Sequence, residues 1–69
     1  MVSKDLIRRA AHRLGVSESA AKTWLVGMKT GMFEYPAVFE LERADYVRRV
    51  GEKFVPKSPS WFVYARLRQ

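Results

Sequence analysis

The amino-acid sequence predicts an all-α fold, a small domain of three to four helices that takes up all of residues 1–69. Apolar residues recur at intervals of three and four in the N-terminal half, the spacing that places them on one face of a helix. Serine and glycine residues stand where these helices would begin and end. Four phenylalanines, three tyrosines and two tryptophans, within 48% hydrophobic residues overall, predict a folded chain with one core.

Charge and composition narrow the class of function. Thirteen Lys and Arg residues against seven Asp and Glu residues give a net charge of +6, which predicts a polyanionic partner such as nucleic acid. The chain has no cysteine and a single histidine, His12, so thiolate ligands and disulfides are excluded. We therefore expect no cofactor, no metal site and no enzymatic activity, because most acid–base and thiol schemes lack their side chains here.

The sequence also predicts a cytoplasmic protein without a membrane partner. No apolar run approaches the roughly 18 residues that a membrane-spanning helix needs. The first residues lack the apolar segment and small-residue cleavage site of a secretory signal. The absence of cysteine is consistent with the same compartment.

The first predicted helix runs from Lys4 to Leu14. Ser3 is placed to cap it, and Asp5 lies near the positive end of its dipole. Gly15 ends the helix, because glycine adopts left-handed backbone angles without steric cost. One apolar stripe faces the core, formed by Leu6, Ile7, Ala10, Ala11 and Leu14.

The second predicted helix runs from Glu18 to Lys29, with Ser17 as its cap and Gly31 as its end. Gly27 lies inside this helix and is expected to weaken it by about 1 kcal/mol relative to alanine. The inward stripe consists of Ala21, Trp24, Leu25 and Met28.

The C-terminal half is less regular, and residues 37–54 fit two interpretations. One is a helix that begins after Pro36, and the other is a pair of strands with a turn at Gly51-Glu52. We favour the helix, because charged residues dominate this segment and β-branched residues are few. The pair Ser58-Pro59 then predicts a last helix that continues to about Arg68.

The corner between the first two helices carries the most information about function. Two helices that cross steeply over a short turn need small residues at their closest approach, and Ala11 and Ala21 supply them on either side of Gly15. Bulkier apolar side chains would fill the wedge between the helices: Leu14, Val16, Trp24 and Leu25. The segment 4–30 resembles the helix-turn-helix of bacterial and phage regulators, which implies that the second helix enters the DNA major groove.

The resemblance implies a set of DNA contacts. The N-terminal part of the second helix would face base edges, and the flanking arginines would hold the phosphates. Glu18 does not fully fit this pattern, because its carboxylate either accepts a hydrogen bond from cytosine or repels a phosphate. The predicted base contacts are Ser17, Ser19, Lys22 and Thr23. The predicted phosphate contacts are Arg8, Arg9, Arg13 and Lys29.

Two narrower resemblances involve the same residues. The series from Leu6 to Ala21 is similar to the start of histone-like HU proteins, in which these residues open a dimer body. The long second helix and the DNA-wrapping arms of that family have no room in this chain. The pattern G-x-x-x-x-A-A-x-x-W-L-x-x-M, from Gly15 to Met28, resembles the PerC family of small enterobacterial and prophage regulators. It adds weight to a transcriptional regulator.

Other interpretations stay open at this level. The helix pair is also compatible with an αα-hairpin that serves only as scaffold. One alternative is a basic protein-interaction module, such as a phage-encoded inhibitor or modulator of a host protein, which would use aromatic residues beside C-terminal arginines. Another is an RNA-binding accessory protein, which would use the same aromatic and basic residues. Most helix-turn-helix regulators bind as two-fold dimers, so a homodimer is expected. The residues of this second surface are Arg43, Arg48, Arg49, Lys53, Lys57, Trp61, Phe62, Tyr64, Arg66 and Arg68.

An acidic cluster interrupts the basic C-terminal half. Glu40, Glu42 and Asp45 surround Arg43 in the sequence. Carboxylates interleaved with arginine are typical of a salt-bridged surface, so we predict ion pairs here and not a catalytic site.

Overall fold

A computed structural model describes the backbone of residues 2–68 and the side chains of residues 2–57 and 62–67. Four helices and one two-stranded antiparallel sheet make up this part of the chain. Their order is α1 (Lys4–Leu14), α2 (Glu18–Thr30), α3 (Ala37–Arg43), β1 (Val47–Val50), β2 (Lys53–Pro56) and α4 (Ser58–Arg68).

The corner between α1 and α2 forms as predicted. Ser3 Oγ accepts a hydrogen bond from the Leu6 N–H at 3.1 Å and so caps α1. Gly15 has φ 68° and ψ 36°, and its N–H donates to the Ala11 carbonyl at 2.9 Å. This left-handed residue ends the helix and turns the chain toward α2, because the next N–H, of Val16, returns to the same carbonyl at 3.1 Å.

The second helix also confirms its predicted boundaries to within one residue. Ser17 Oγ accepts from the Ala20 N–H at 3.1 Å and caps the first turn. At the other end Gly31 has φ 83°, and its N–H donates to the Gly27 carbonyl at 2.7 Å. The cap residues of α2 and the extent of the helix between them were therefore both predicted from the local sequence.

The core lies where α1, α2, α3 and the sheet meet. Ala21 is fully buried and Ala11 nearly so, and the neighbouring Ala20 and Ala10 are fully buried too, so α1 and α2 both place small side chains in the core. Tyr64 of α4 packs its ring against the edge of Trp24, with centroids 5.9 Å apart, and so ties the last helix to this core. The large side chains that are completely buried belong to Trp24, Leu25, Val38, Leu41 and Val47.

The prediction of an all-α fold is wrong for residues 47–56. Within residues 37–54, for which one helix was predicted, only the segment Ala37–Arg43 is helical. The strands β1 and β2 pair in antiparallel register from Val47↔Pro56 to Val50↔Lys53. Val47 and Arg49 lie two residues apart on one face of β1, and Phe54 is paired with Arg49, so Val47 and Phe54 share a face of the ribbon. Both side chains are nearly or fully buried in the core. Burial of these two side chains outweighs the weak strand propensity of the charged residues between them.

Gly27 has a packing role that its sequence position did not reveal. The ring of buried Phe33 lies directly against the Gly27 backbone, and a Cβ atom added at Gly27 would overlap the ring. The glycine therefore makes room for the chain to fold back after α2. The low helix propensity of glycine at this position, predicted from the sequence, is thus a consequence of the space that the Phe33 ring needs.

Candidate nucleic-acid interface

The outer face of α2 is the first part of the candidate interface. Residues on a helix are about 100° apart, so the buried residues of α2, from Ala20 to Met28, leave an outward arc centred on Ser19 and Val26. Lys22 flanks this centre on one side and is exposed, and Thr23 flanks it on the other and is half-buried. The structure thus brings Ser19, Lys22 and Thr23 together on one face, as predicted from the sequence.

A groove between α1 and α2 borders this face. Lys4 and Arg8 of α1 lie across from Lys22 of α2, and Lys29 extends the row toward the end of α2. None of these four cations has an ion-pair partner within the part of the chain that the structure describes. The carboxylate of Glu18 lines the same groove, so four cations face one anion there. The net charge of the groove is positive and attracts polyanions.

The groove has an apolar floor. Ile7 of α1 and Val26 of α2 are half-buried and line it together with Val2. Lys4 and Val26 also belong to this surface, although neither was among the contacts predicted from the sequence. The signal was available for Val26, which follows Lys22 by four residues and Thr23 by three and so shares their face.

Ser17 is held differently from the other predicted base contacts. Its hydroxyl donates to Glu40 Oε1 at 2.7 Å and its N–H donates to Glu40 Oε2 at 2.8 Å, while Oγ also accepts from the Ala20 N–H. Glu40 belongs to α3, so the contact joins the start of α2 to a residue 23 positions later. A base contact by Ser17 requires its hydroxyl to exchange Glu40 for the base.

The Ser17 contacts change the acidity of Glu40. Hydrogen bonds from the hydroxyl and then from the backbone N–H of Ser17 lower the pKa of the Glu40 carboxyl, with a smaller contribution from the charge of Arg43. Both hydrogen bonds favour the ionised carboxylate, so Glu40 carries a negative charge beside the positive end of the α2 dipole.

The predicted phosphate contacts fall into two places. Arg8 and Lys29 lie on the groove beside α2. Arg9 and Arg13, both exposed, lie with Arg8 on another groove, which is bordered by Leu67 of α4. Arg8 thus connects two basic grooves on either side of α1.

The second basic surface predicted from the sequence is only partly assembled. Arg49 Nη2 lies 3.6 Å from Glu42 Oε1, and Arg49 Cζ lies over the Phe54 ring, 5.1 Å from its centroid. Lys57 forms an ion pair with Asp45. Arg43, Arg48, Lys53 and Arg66 are exposed, as is Phe62, whereas Tyr64 is half-buried against Trp24. The side chains of Trp61 and Arg68 lie outside the described residues.

The acidic cluster is paired, but with other partners than Arg43. Glu42 and Asp45 form the two ion pairs of the hairpin region, and Glu40 binds Ser17. Among the described residues no three His, Cys, Asp or Glu side chains lie close enough to hold a metal ion. Nor does any helix in residues 2–68 combine the length and apolar character needed to cross a bilayer.

Comparisons with models of protein families, with curated proteins and with solved structures find no match to this chain.

Proposed function

We propose that this protein binds double-stranded DNA as a bacterial or phage transcriptional regulator in the cytoplasm, and that α2 enters the major groove. The observation that carries the proposal is the outward face of α2, where Ser19, Lys22 and Thr23 lie beside a row of cations without ion-pair partners. A major groove about 12 Å wide admits one helix, and a helix with polar residues at its outer face can donate to and accept from base edges.

Affinity and sequence preference come from different residues in this proposal. Lys4 and Arg8 of α1 and Lys29 of α2 lie on the α1 side of the outward face and contact phosphates along that side of the duplex groove. Lys22 donates to guanine, and the hydroxyls of Ser19 and Thr23 bond base edges. Two copies on a palindromic site would contact two half-sites one helical turn apart.

A gel-shift titration with duplex DNA tests the proposal. We expect the wild-type chain to bind duplex DNA with an affinity that falls steeply with salt. Lys22→Glu places a negative charge on one flank of the α2 face and Thr23→Trp adds bulk on the other, so we expect each to abolish this binding. Arg66→Glu is the matched control, because it makes the same change of charge at an exposed residue of α4. Binding that survives both α2 substitutions would rule out α2 as the DNA-contacting helix.

A second candidate function is a protein-interaction module that modulates a host protein. Its support is the set of large apolar side chains that remain in contact with solvent, since Met32 is 72% exposed, Tyr35 60% and Phe62 75%. Such side chains are enriched where a protein surface binds another protein. Recovery of one stoichiometric protein partner, without affinity for duplex DNA at about 100 mM salt, would favour this function over DNA binding.

A further inference from the structure

We infer that Val26 gives this protein a preference for thymine at one position of its DNA site, through contact with the thymine methyl group. The inference rests on the proposed function, because it assigns a base to one residue of the same α2 face. Val26 was not among the base contacts predicted from the sequence, and its place beside the cations of the groove comes from the packing of α1 against α2.

Val26 lies at the middle of the surface that would meet the base edges. It shares the outward arc of α2 with Ser19, which lies seven residues, or about two helical turns, closer to the N-terminus. Lys22 and Lys29 line the same groove, one turn before and one turn after it on the α1 side. An apolar side chain is therefore framed by cations, and a duplex drawn in by those cations comes into contact with it.

The chemistry of the Val26 side chain selects one feature of the major groove. Valine has no donor or acceptor, so it cannot bond guanine, cytosine or adenine edges and leaves their polar groups without partners. Thymine alone presents an apolar group there, the C5 methyl, and contact between two apolar surfaces releases water from both. The hydroxyl of Thr30, the next polar group on this side, donates to the Val26 carbonyl and accepts from the Met32 N–H, so it is already engaged.

The probe for this inference is a duplex recovered from a random-sequence pool by repeated rounds of binding to the full chain. Each thymine of the recovered site is then replaced in turn by uracil, which lacks only the methyl group and keeps all hydrogen bonds. We expect uracil at one thymine in each half-site to weaken binding about fourfold, the value of one buried methyl group. With Val26→Ala the effect of the same replacement should shrink, because the two Cγ methyl groups that reach the thymine methyl are gone and only Cβ remains.

Two control variants make the test specific. Val50→Ala removes the same methyl groups from a valine on the hairpin that is 48% exposed, and it should keep the preference for thymine. Lys29→Gln should weaken binding to the thymine and uracil duplexes equally, because a phosphate contact does not distinguish bases. The thermal midpoint of each variant shows whether the substitution alters stability as well.

The outcomes separate this inference from the proposed function. If the pool yields a preferred site but no uracil replacement weakens binding, or if Val26→Ala keeps the full preference, the thymine assignment to Val26 is overturned and DNA binding by α2 stands. If no duplex is retained at about 100 mM salt, the proposed function fails and the thymine assignment fails with it.

Discussion

Glu40 binds both polar groups of Ser17, with its two carboxylate oxygens 2.7 and 2.8 Å from the Ser17 hydroxyl and backbone N–H. The pair joins α3 to the corner from which α2 begins. Ser17 therefore has two roles, because the same hydroxyl caps α2 by accepting from Ala20. A contact that only an ionised carboxylate makes in full therefore links α3 to the start of α2.

The first prediction concerns the pH dependence of stability. The pKa of Glu40 is lower in the folded chain than in the unfolded chain, where it is near 4.5. The contribution of Glu40 to folding stability is therefore fully present above the unfolded pKa and is lost as the pH falls through the lower, folded pKa. Glu40→Gln should reduce stability at neutral pH and should flatten the decrease between neutral pH and about pH 3. Urea unfolding followed by circular dichroism at both pH values measures the difference.

Glu34→Gln is the matched control for this pH experiment. The exposed Glu34 side chain has no hydrogen bond or ion pair within the part of the chain that the structure describes. We expect its variant to follow the wild-type profile. A Glu40→Gln profile parallel to wild type would show that the Ser17 contact does not form in solution.

The second prediction concerns the contact between Gly27 and Phe33. Gly27→Ala gains about 1 kcal/mol of helix propensity, but its Cβ overlaps the Phe33 ring, and overpacking typically costs about 1–3 kcal/mol. We expect the single variant to be less stable than wild type. In a Phe33→Ala background the same substitution should instead stabilise the chain, because the ring is absent.

A double-mutant cycle measured by urea denaturation tests this sign reversal. The interaction free energy between positions 27 and 33 is obtained from the four midpoints and their slopes. An equal effect of Gly27→Ala in both backgrounds would contradict the packing of Phe33 on α2.

The third prediction concerns the link between the hairpin and the end of α1. The Tyr46 hydroxyl donates to the Leu14 carbonyl at 2.8 Å, which satisfies one of the carbonyls that the last turn of α1 leaves without a helical partner. Tyr46→Phe keeps the ring and removes this bond, so we expect a loss of about 0.5–1.5 kcal/mol in the free energy of unfolding. Chemical denaturation measures it, and an unchanged midpoint would contradict the contact.

The fourth prediction concerns the salt dependence of DNA binding. Each phosphate contact contributes about 0.9 to the slope of log affinity against log salt concentration. Arg8→Gln and Lys29→Gln should each reduce the slope by about that amount, while Arg66→Gln should leave it unchanged. Titrations at several salt concentrations give the slopes. Equal slopes for Arg8→Gln and the control would remove Arg8 from the interface.

Local sequence was sufficient for the two N-terminal helices. Ser3, Ser17 and Gly15 act on backbone groups no more than four residues away, so their effects can be inferred without knowledge of the fold. The apolar periodicity of the same helices predicted the burial of Ala21, Trp24, Leu25 and Met28 in α2 and missed Ala20, which is fully buried. The outward positions of Ser19 and Lys22 follow from that periodicity.

Tertiary structure decided what depends on distant partners. Residues 47–56 have weak local preferences, and they form a hairpin because Phe54 gains a buried site beside Tyr35 and Phe39, whose rings contact it edge-on. The contacts of Ser17 with Glu40 and of Gly27 with Phe33 join separate segments of the chain. Such contacts arise only when the core brings those segments together, so residue spacing does not disclose them.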